Sequence, residues 1–178
     1  MNNYIEWFKK NKITEVECLI PDNSGIPRGK ILPTKKFLSS FESGGLRLPL
    51  HLFKLAVSRS VSYSIDDQLL NPTDGDFILK PDFNTLRVVP WYEEPTAQII
   101  CDAVDSKENE IEVYSRGILK RVISLFNNIG LEPIIAPEIE FYLVKKNNDP
   151  DYPLETPSGQ SGRIEKGNQS YGIDAINE

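Results

Sequence analysis

The sequence predicts an α+β fold: a small sheet with one or two packed helices over roughly the first hundred residues, then a second helix–strand unit. Two observations carry this expectation. Strand-like segments cluster between Glu15 and Ala103 instead of alternating with long helices, which separates α+β from α/β patterning. The charged connector Asp105-Ser-Lys-Glu-Asn-Glu110 then interrupts the pattern, and the chain's clearest helical periodicity follows it.

Tyr4 to Lys10 reads as a short amphipathic helix with Ile5, Trp7 and Phe8 apolar. Val16, Cys18 and Ile20 alternate with Glu15, Glu17 and Leu19, the period-two signature of a strand. On this reading Glu15 and Glu17 belong to a solvated face. Pro21-Asp-Asn-Ser-Gly25 has turn chemistry, because Asp and Asn tolerate the left-handed region and Gly supplies positive φ. Arg28 to Leu32 returns as the second arm of a hairpin. Thr34 is a candidate cap for a helix to Ser43 with Phe37, Leu38 and Phe41 on one face, ended by Gly44-Gly45.

From Leu46 to Asp76 the pattern is weak and predicts mostly loop. Phe77–Leu79, Leu86–Val89 and Thr96–Ala103 are strand candidates, punctuated by Pro81-Asp-Phe-Asn84 and by Trp91 to Pro95. Beyond the connector, Ser115 is a candidate N-cap. Ile118, Leu119, Val122, Ile123, Phe126 and Ile129 then recur at helical spacing up to Gly130. Pro133 to Val144 reads as a strand. Lys145 to Glu178 is rich in Gly, Pro, Ser and Asn without periodicity. Such a long structureless tail is unusual in a compact domain, so the expectation is a piece of a larger protein.

Hydrophobic residues make up 39% of the 178 residues and charged residues 26%, with a net charge of −6. This is the composition of a globular chain. Without a Lys/Arg block it lacks the basic patch of a nucleic-acid surface and a polybasic membrane anchor. No apolar run approaches the roughly 20 residues of a membrane span. The N-terminus has no secretory h-region, so the expected location is cytoplasmic. Cys18 and Cys101 stand far apart in sequence, each inside a strand candidate, where a thiol packs as a small hydrophobe; no disulfide framework is expected. The single histidine, His51, has no partner at metal-ligand spacing and is read as a structural or surface residue.

The chemistry concentrates at Glu138 and Glu140. In a strand, residues i and i+2 share a face roughly 6.5–7 Å apart, so the two carboxylates and Tyr142 face one way and Ile139 and Phe141 the other. Neighbouring carboxylates repel, and a divalent cation with a preference for hard oxygen ligands relieves that repulsion. Ordinary surface charge is the competing reading of the same spacing.

Pro137-Glu-Ile-Glu-Phe-Tyr-Leu143, preceded by Gly130-Leu-Glu-Pro133, resembles the first catalytic-domain strand of the glutamine synthetase family. Cys18 to Lys30, with Asp-Asn-Ser-Gly-Ile-Pro-Arg-Gly-Lys, is similar to the family's first hairpin. Pro81 to Trp91 is similar to its strand–turn–strand, and Arg116 to Val122 to its first catalytic-domain helix. Ser161 to Glu178 resembles the branch that γ-glutamylates amines and polyamines. The resemblance implies a β-grasp N-terminal domain over residues 12–107 and the truncated start of a catalytic domain, an antiparallel sheet with helices, over 112–178. It implies an ATP-dependent ligase of nitrogen or polyamine metabolism that joins glutamate to ammonia or an amine through γ-glutamyl phosphate. Two Mg²⁺ or Mn²⁺ ions are implied, with Glu138 and Glu140 supplying one ligand to each, and a ring-shaped homo-oligomer.

The Asp-Gly-Ser-Ser motif of ammonia-using members is missing; Ser60-Val-Ser-Tyr-Ser-Ile65 stands in that region, which favours an organic amine. Asp76, in the Asp74-Gly-Asp76 loop, is read as a turn residue, with a place near a subunit junction as the alternative. No catalytic or nucleotide-binding residue is assigned, since the family's remaining motifs would lie beyond residue 178. Two other readings are a non-catalytic scaffold or regulator of the same family and a free-standing β-grasp interaction module. The Glu138/Glu140 pair speaks against the first, and the elements after residue 115 against the second.

Overall fold

The computed structural model describes residues 2–40, 43–55, 75–159, 162 and 173. Contacts divide the chain into two units, Met1–Pro133 and Ile134–Glu178.

The first unit opens with helix α1 (Asn2–Lys10), closed by Lys9 and Lys10, cations that suit the negative end of a helix dipole. Strands β1 (Glu15–Pro21) and β2 (Pro27–Pro33) pair antiparallel as the expected hairpin, Glu15 opposite Pro33 and Pro21 opposite Pro27. Asp22 builds the turn. Its Oδ1 accepts the Ser24 and Ile26 amides, both at 2.9 Å, and Oδ2 accepts Arg28 Nε at 2.9 Å. Gly29 in β2 lies so close to β1 that a Cβ there would sit 1.9 Å from the Cys18 carbonyl oxygen, so only glycine fits.

Helix α2 is described over Thr34–Ser40. Thr34 does not cap it: the hydroxyl donates to the Ile13 carbonyl at 2.8 Å and ties the start of α2 to the chain before β1. The weakly patterned stretch after Gly45 contains a strand the sequence did not suggest, β3 (Leu46–Pro49), followed by a 3₁₀ turn at Leu50–Lys54 that carries His51. β3 forms because it pairs antiparallel with β4 (Asp76–Pro81), a partner distant in sequence that supplies the ladder its own four residues cannot. Asp76 is the exposed first residue of β4. The Ser60–Ile65 stretch and Phe41 lie outside the described residues.

A 3₁₀ turn at Phe83–Thr85 leads to β5 (Arg87–Val88), and β6 (Thr96–Val104) completes the sheet. The order is β2-β1-β6-β4-β3, with β5 also on β6. β1 and β6 run parallel, and the other pairings are antiparallel. β5 pairs with β6 at Ala97–Gln98 and β4 pairs with it at Cys101–Val104. Between them the Thr85 hydroxyl accepts the Ile100 amide at 2.8 Å.

The core gathers Val16, Cys18 and Ile20 of β1, Ala97, Ile99, Cys101 and Ala103 of β6, Phe77 and Leu79 of β4, and Phe8, Phe37 and Phe53. Phe8 meets Phe37 edge-on at 5.8 Å, and Phe53 stacks on Phe77 at 4.9 Å, geometries that add attraction beyond area burial. Both cysteines are buried free thiols, as expected. Although far apart in sequence, they sit on neighbouring strands, and the adjacent Cys18 thiol together with burial holds the Cys101 proton far more tightly than usual.

The connector before the last helix is a closed turn. Asp105 Oδ1 accepts the Lys107 and Asn109 amides at 2.7 and 2.9 Å, and Ile111 donates back to Ala103 at 3.0 Å. Helix α3 (Ser115–Asn128) follows, with Tyr114 in the N-cap position and no side-chain cap. The expected Ser115 cap is thus one residue inside the helix. Gly130 ends it with φ 76°, its amide bonding Asn127 O at 3.0 Å and the Leu131 amide bonding Phe126 O at 3.0 Å.

In the second unit, residues 134–147 form neither helix nor strand, and every one is exposed. The strand expected over Pro133–Val144 is therefore not formed. An alternating sequence becomes a strand only against a neighbour that satisfies its backbone donors and acceptors. None pairs with it among the described residues. Ile134 and Tyr142 stand 95% and 94% exposed. Lys145 closes a loop onto Glu155, amide to carbonyl at 2.9 Å and Nζ to carboxylate at 3.2 Å. Apart from residues 162 and 173, the Ser161–Glu178 stretch lies outside the described residues.

Candidate functional site

Glu138 and Glu140 lie in the 134–147 segment, both exposed. Their carboxylates are the hard oxygen donors that Mg²⁺ or Mn²⁺ takes, so the donor chemistry fits such an ion. Two carboxylates make only part of a shell. Among the described residues no group of three or more His, Cys, Asp or Glu gathers where a metal could sit.

The densest polar chemistry is elsewhere, along β6. Thr96, Gln98 and Asp102 alternate with the apolar Ala97, Ile99, Cys101 and Ala103, and all three are buried. The sequence reading treated Glu17 as solvated; it is 6% exposed. Its register partner across β1–β6 is Gln98, whose Nε2 donates to Glu17 Oε2 at 2.8 Å. The Tyr92 hydroxyl donates to Oε1 at 2.8 Å, and Arg87 donates to Gln98 Oε1. The β5–β6 loop thus folds over the row and removes Glu17 from water, while Glu15, one turn of the pleat earlier, stays exposed. Hydrogen bonding to the Glu17 carboxylate holds the Tyr92 proton above its ordinary range. Glu15, Glu17, Tyr92, Glu93 and Glu94 line a shallow acidic cleft beside this network.

At the other end of β6, Asp102 gathers three donors. They are the Tyr114 hydroxyl at 3.2 Å, Arg116 Nη1 and Lys120 Nζ. The second guanidinium nitrogen of Arg116 reaches Asp82 Oδ2 at 2.6 Å. Asp82 also caps the 3₁₀ turn, accepting the Asn84 amide at 3.1 Å. The Arg116 hydrogen bond, with further help from Asn84 and Lys120, holds the Asp82 carboxyl below the usual carboxylate range against its partial burial. The two carboxylates in turn raise Arg116 above its ordinary value despite desolvation. Burial and the nearby Asp102 charge push the Tyr114 hydroxyl well above its usual range.

This network was not read from the sequence. The available signal was Arg116 and Lys120 at i, i+4 spacing, which places both cations on one helix face. Most of the expected apolar stripe of α3 points to solvent: Ile118, Leu119, Val122, Phe126 and Ile129 are exposed by 40–71%, while Ile123 is half-buried. The helix meets the sheet with Tyr114, Gly117 and its charged side chains instead.

Residues 112–178 match the glutamine synthetase catalytic domain. The glutamine synthetase of Methanocaldococcus jannaschii is 32% identical over 152 residues, which are 84% of this chain and 32% of that protein. The γ-glutamylputrescine synthetase PuuA of Escherichia coli (strain K12) is 26% identical over 181 residues, 99% of this chain and 37% of that protein. A crystal structure of a novel glutamine synthase homolog shares the fold with a TM-score of 0.54, over 66% of this chain and 27% of that one, at 17% identity. The chain spans about a third of the length of these curated relatives. Among the described residues no helix is long and apolar enough to cross a membrane.

Proposed function

We propose, starting from a chain recognised as a relative of the glutamine synthetases, that the whole protein is an ATP-dependent ligase forming a γ-glutamyl amide. Glutamate is activated as γ-glutamyl phosphate, and an amine nitrogen displaces the phosphate. The observation that carries this reading is the match over residues 112–178, which includes Glu138 and Glu140. The parallel β1–β6 pair, flanked by the β1–β2 hairpin, supports a β-grasp N-terminal domain over residues 12–107, with the catalytic domain beginning at 112.

Glu138 and Glu140 would each supply one carboxylate ligand to a Mg²⁺ or Mn²⁺ ion. The bound ions would neutralise charge on the transferring phosphoryl group and orient it. For the acceptor we favour a primary amine or polyamine over ammonia, on the Ser60–Ile65 sequence and the similarity to a γ-glutamylputrescine synthetase. A cytoplasmic, ring-shaped homo-oligomer completes the reading.

The test is thermal melting of the wild type, Glu138→Gln and Glu140→Gln with and without Mn²⁺. Ligand binding to the folded state raises the melting temperature by mass action. Glutamine keeps the shape and removes the charge, so the wild type should gain more from the metal than either variant. Equal metal-induced shifts in all three would make the carboxylates surface charges and remove the metal assignment.

A further inference from the structure

Helix α3 is attached to the sheet the opposite way round from an ordinary amphipathic helix. Of its apolar stripe only Ile123 is half-buried, and Ile118, Leu119, Val122, Phe126 and Ile129 are 40–71% exposed, so burial of that stripe in this unit does little to hold it in place. What faces the sheet is Tyr114 at the N-cap, Gly117 against the Tyr114 ring, and the cations Arg116 and Lys120. Arg116 spans two elements, with one nitrogen on Asp102 of β6 and the other on Asp82 at the turn after β4. Lys120, one helical turn on, returns to Asp102. Farther out, Arg121 donates to the Glu112 carbonyl at 2.7 Å and lies 4.0 Å from Glu110, contacts that stay within the helix and its approach.

We propose that the Asp82–Arg116–Asp102–Lys120 network is a polar clamp that sets the orientation of α3 on the sheet, and that α3 can swing free of it while the sheet stays folded. A guanidinium shared between two carboxylates fixes two directions at once, which a single ion pair does not. The sheet does not need the clamp, because its core is closed by Phe8, Phe37, Phe53, Phe77 and the N-cap ring of Tyr114 with the β1 and β6 side chains, so the freed helix pivots at Tyr114, which stays in the core. The proposal stands independently of the ligase reading, since all four residues lie in the first unit and none is assigned a role in catalysis.

The experiment is amide hydrogen exchange on the full chain for the wild type, Arg116→Met, Lys120→Met and Arg116→Lys. Methionine keeps much of the apolar stem and removes the charge; lysine keeps the charge but cannot bridge both carboxylates. Local opening appears as faster exchange confined to one element. In Arg116→Met the α3 amides should exchange on the order of tenfold faster, with β1 and β6 amides unchanged. Arg116→Lys should restore only part of the protection. Should Arg116→Met fail to fold, Lys120→Met is judged by the same criterion, because that side chain is 40% exposed and its loss leaves the core intact. Unchanged α3 exchange, or α3 and sheet accelerating together, would overturn the clamp.

Discussion

Replacing Asp22 by Ala tests whether the first hairpin is held by its turn carboxylate. The Asp22 side chain is fully buried while that of Arg28 is 28% exposed. The substitution removes the acceptor of two backbone amides and of the Arg28 guanidinium. A hydrogen bond to a charged group contributes about 1.5–3 kcal/mol, and orphaning a buried donor costs about 1–3 kcal/mol. The Arg28 share is discounted because water reaches it. The losses share one carboxylate and do not add in full, so the expected cost is roughly 3 kcal/mol. For a chain of this size that lowers the melting temperature by about 6–12 °C.

The neighbouring Asn23 donates to the carbonyls of Phe53 and Val113 at 3.1 and 2.9 Å, so a loosened turn also slackens the approach to α3. Urea unfolding followed by tryptophan fluorescence reads the effect, since Trp7 packs against the core. Asp22→Asn keeps an oxygen for the two amides and should lose about 1 kcal/mol. A loss below about 1 kcal/mol for Asp22→Ala, or equal losses for Ala and Asn, would show that the turn does not depend on this carboxylate.

Two further outcomes follow from the α3 attachment. Gly117→Ala would place a Cβ 2.4 Å from the Tyr114 ring, so Tyr114 must move. A destabilisation of about 1–3 kcal/mol is expected from overpacking, measured by the shift in urea midpoint, even though alanine is the better helix former. Asp82 has a folded-state pKa depressed below its ordinary 3.8. Its stabilisation is therefore fully present above that value and is lost as pH falls through the lower folded value. Urea midpoints of the wild type and Asp82→Asn should differ by a constant amount above pH 3.8 and converge in more acidic solution; a gap that persists unchanged would contradict this.

Local chemistry alone determined much of the first unit. The β1–β2 hairpin follows from alternation around Asp22–Gly25, helix α2 from Phe37 and Leu38 after Thr34, β6 from its alternating apolar residues, and the end of α3 from Gly130, because each signal acts within a few residues. The family resemblance was likewise legible, since it rests on short motifs in order. Tertiary structure decided the rest. β3 exists only because β4 lies beside it, and Glu17 is buried only because β6 sets Gln98 opposite it and the β5–β6 loop brings Tyr92 to its carboxylate. The 133–144 segment alternates like a strand yet is unpaired among the described residues, and α3 shows most of its apolar stripe to solvent while charged residues meet the sheet. The reason is common to all four: periodicity specifies which side chains share a face, but what that face meets depends on parts of the chain distant in sequence.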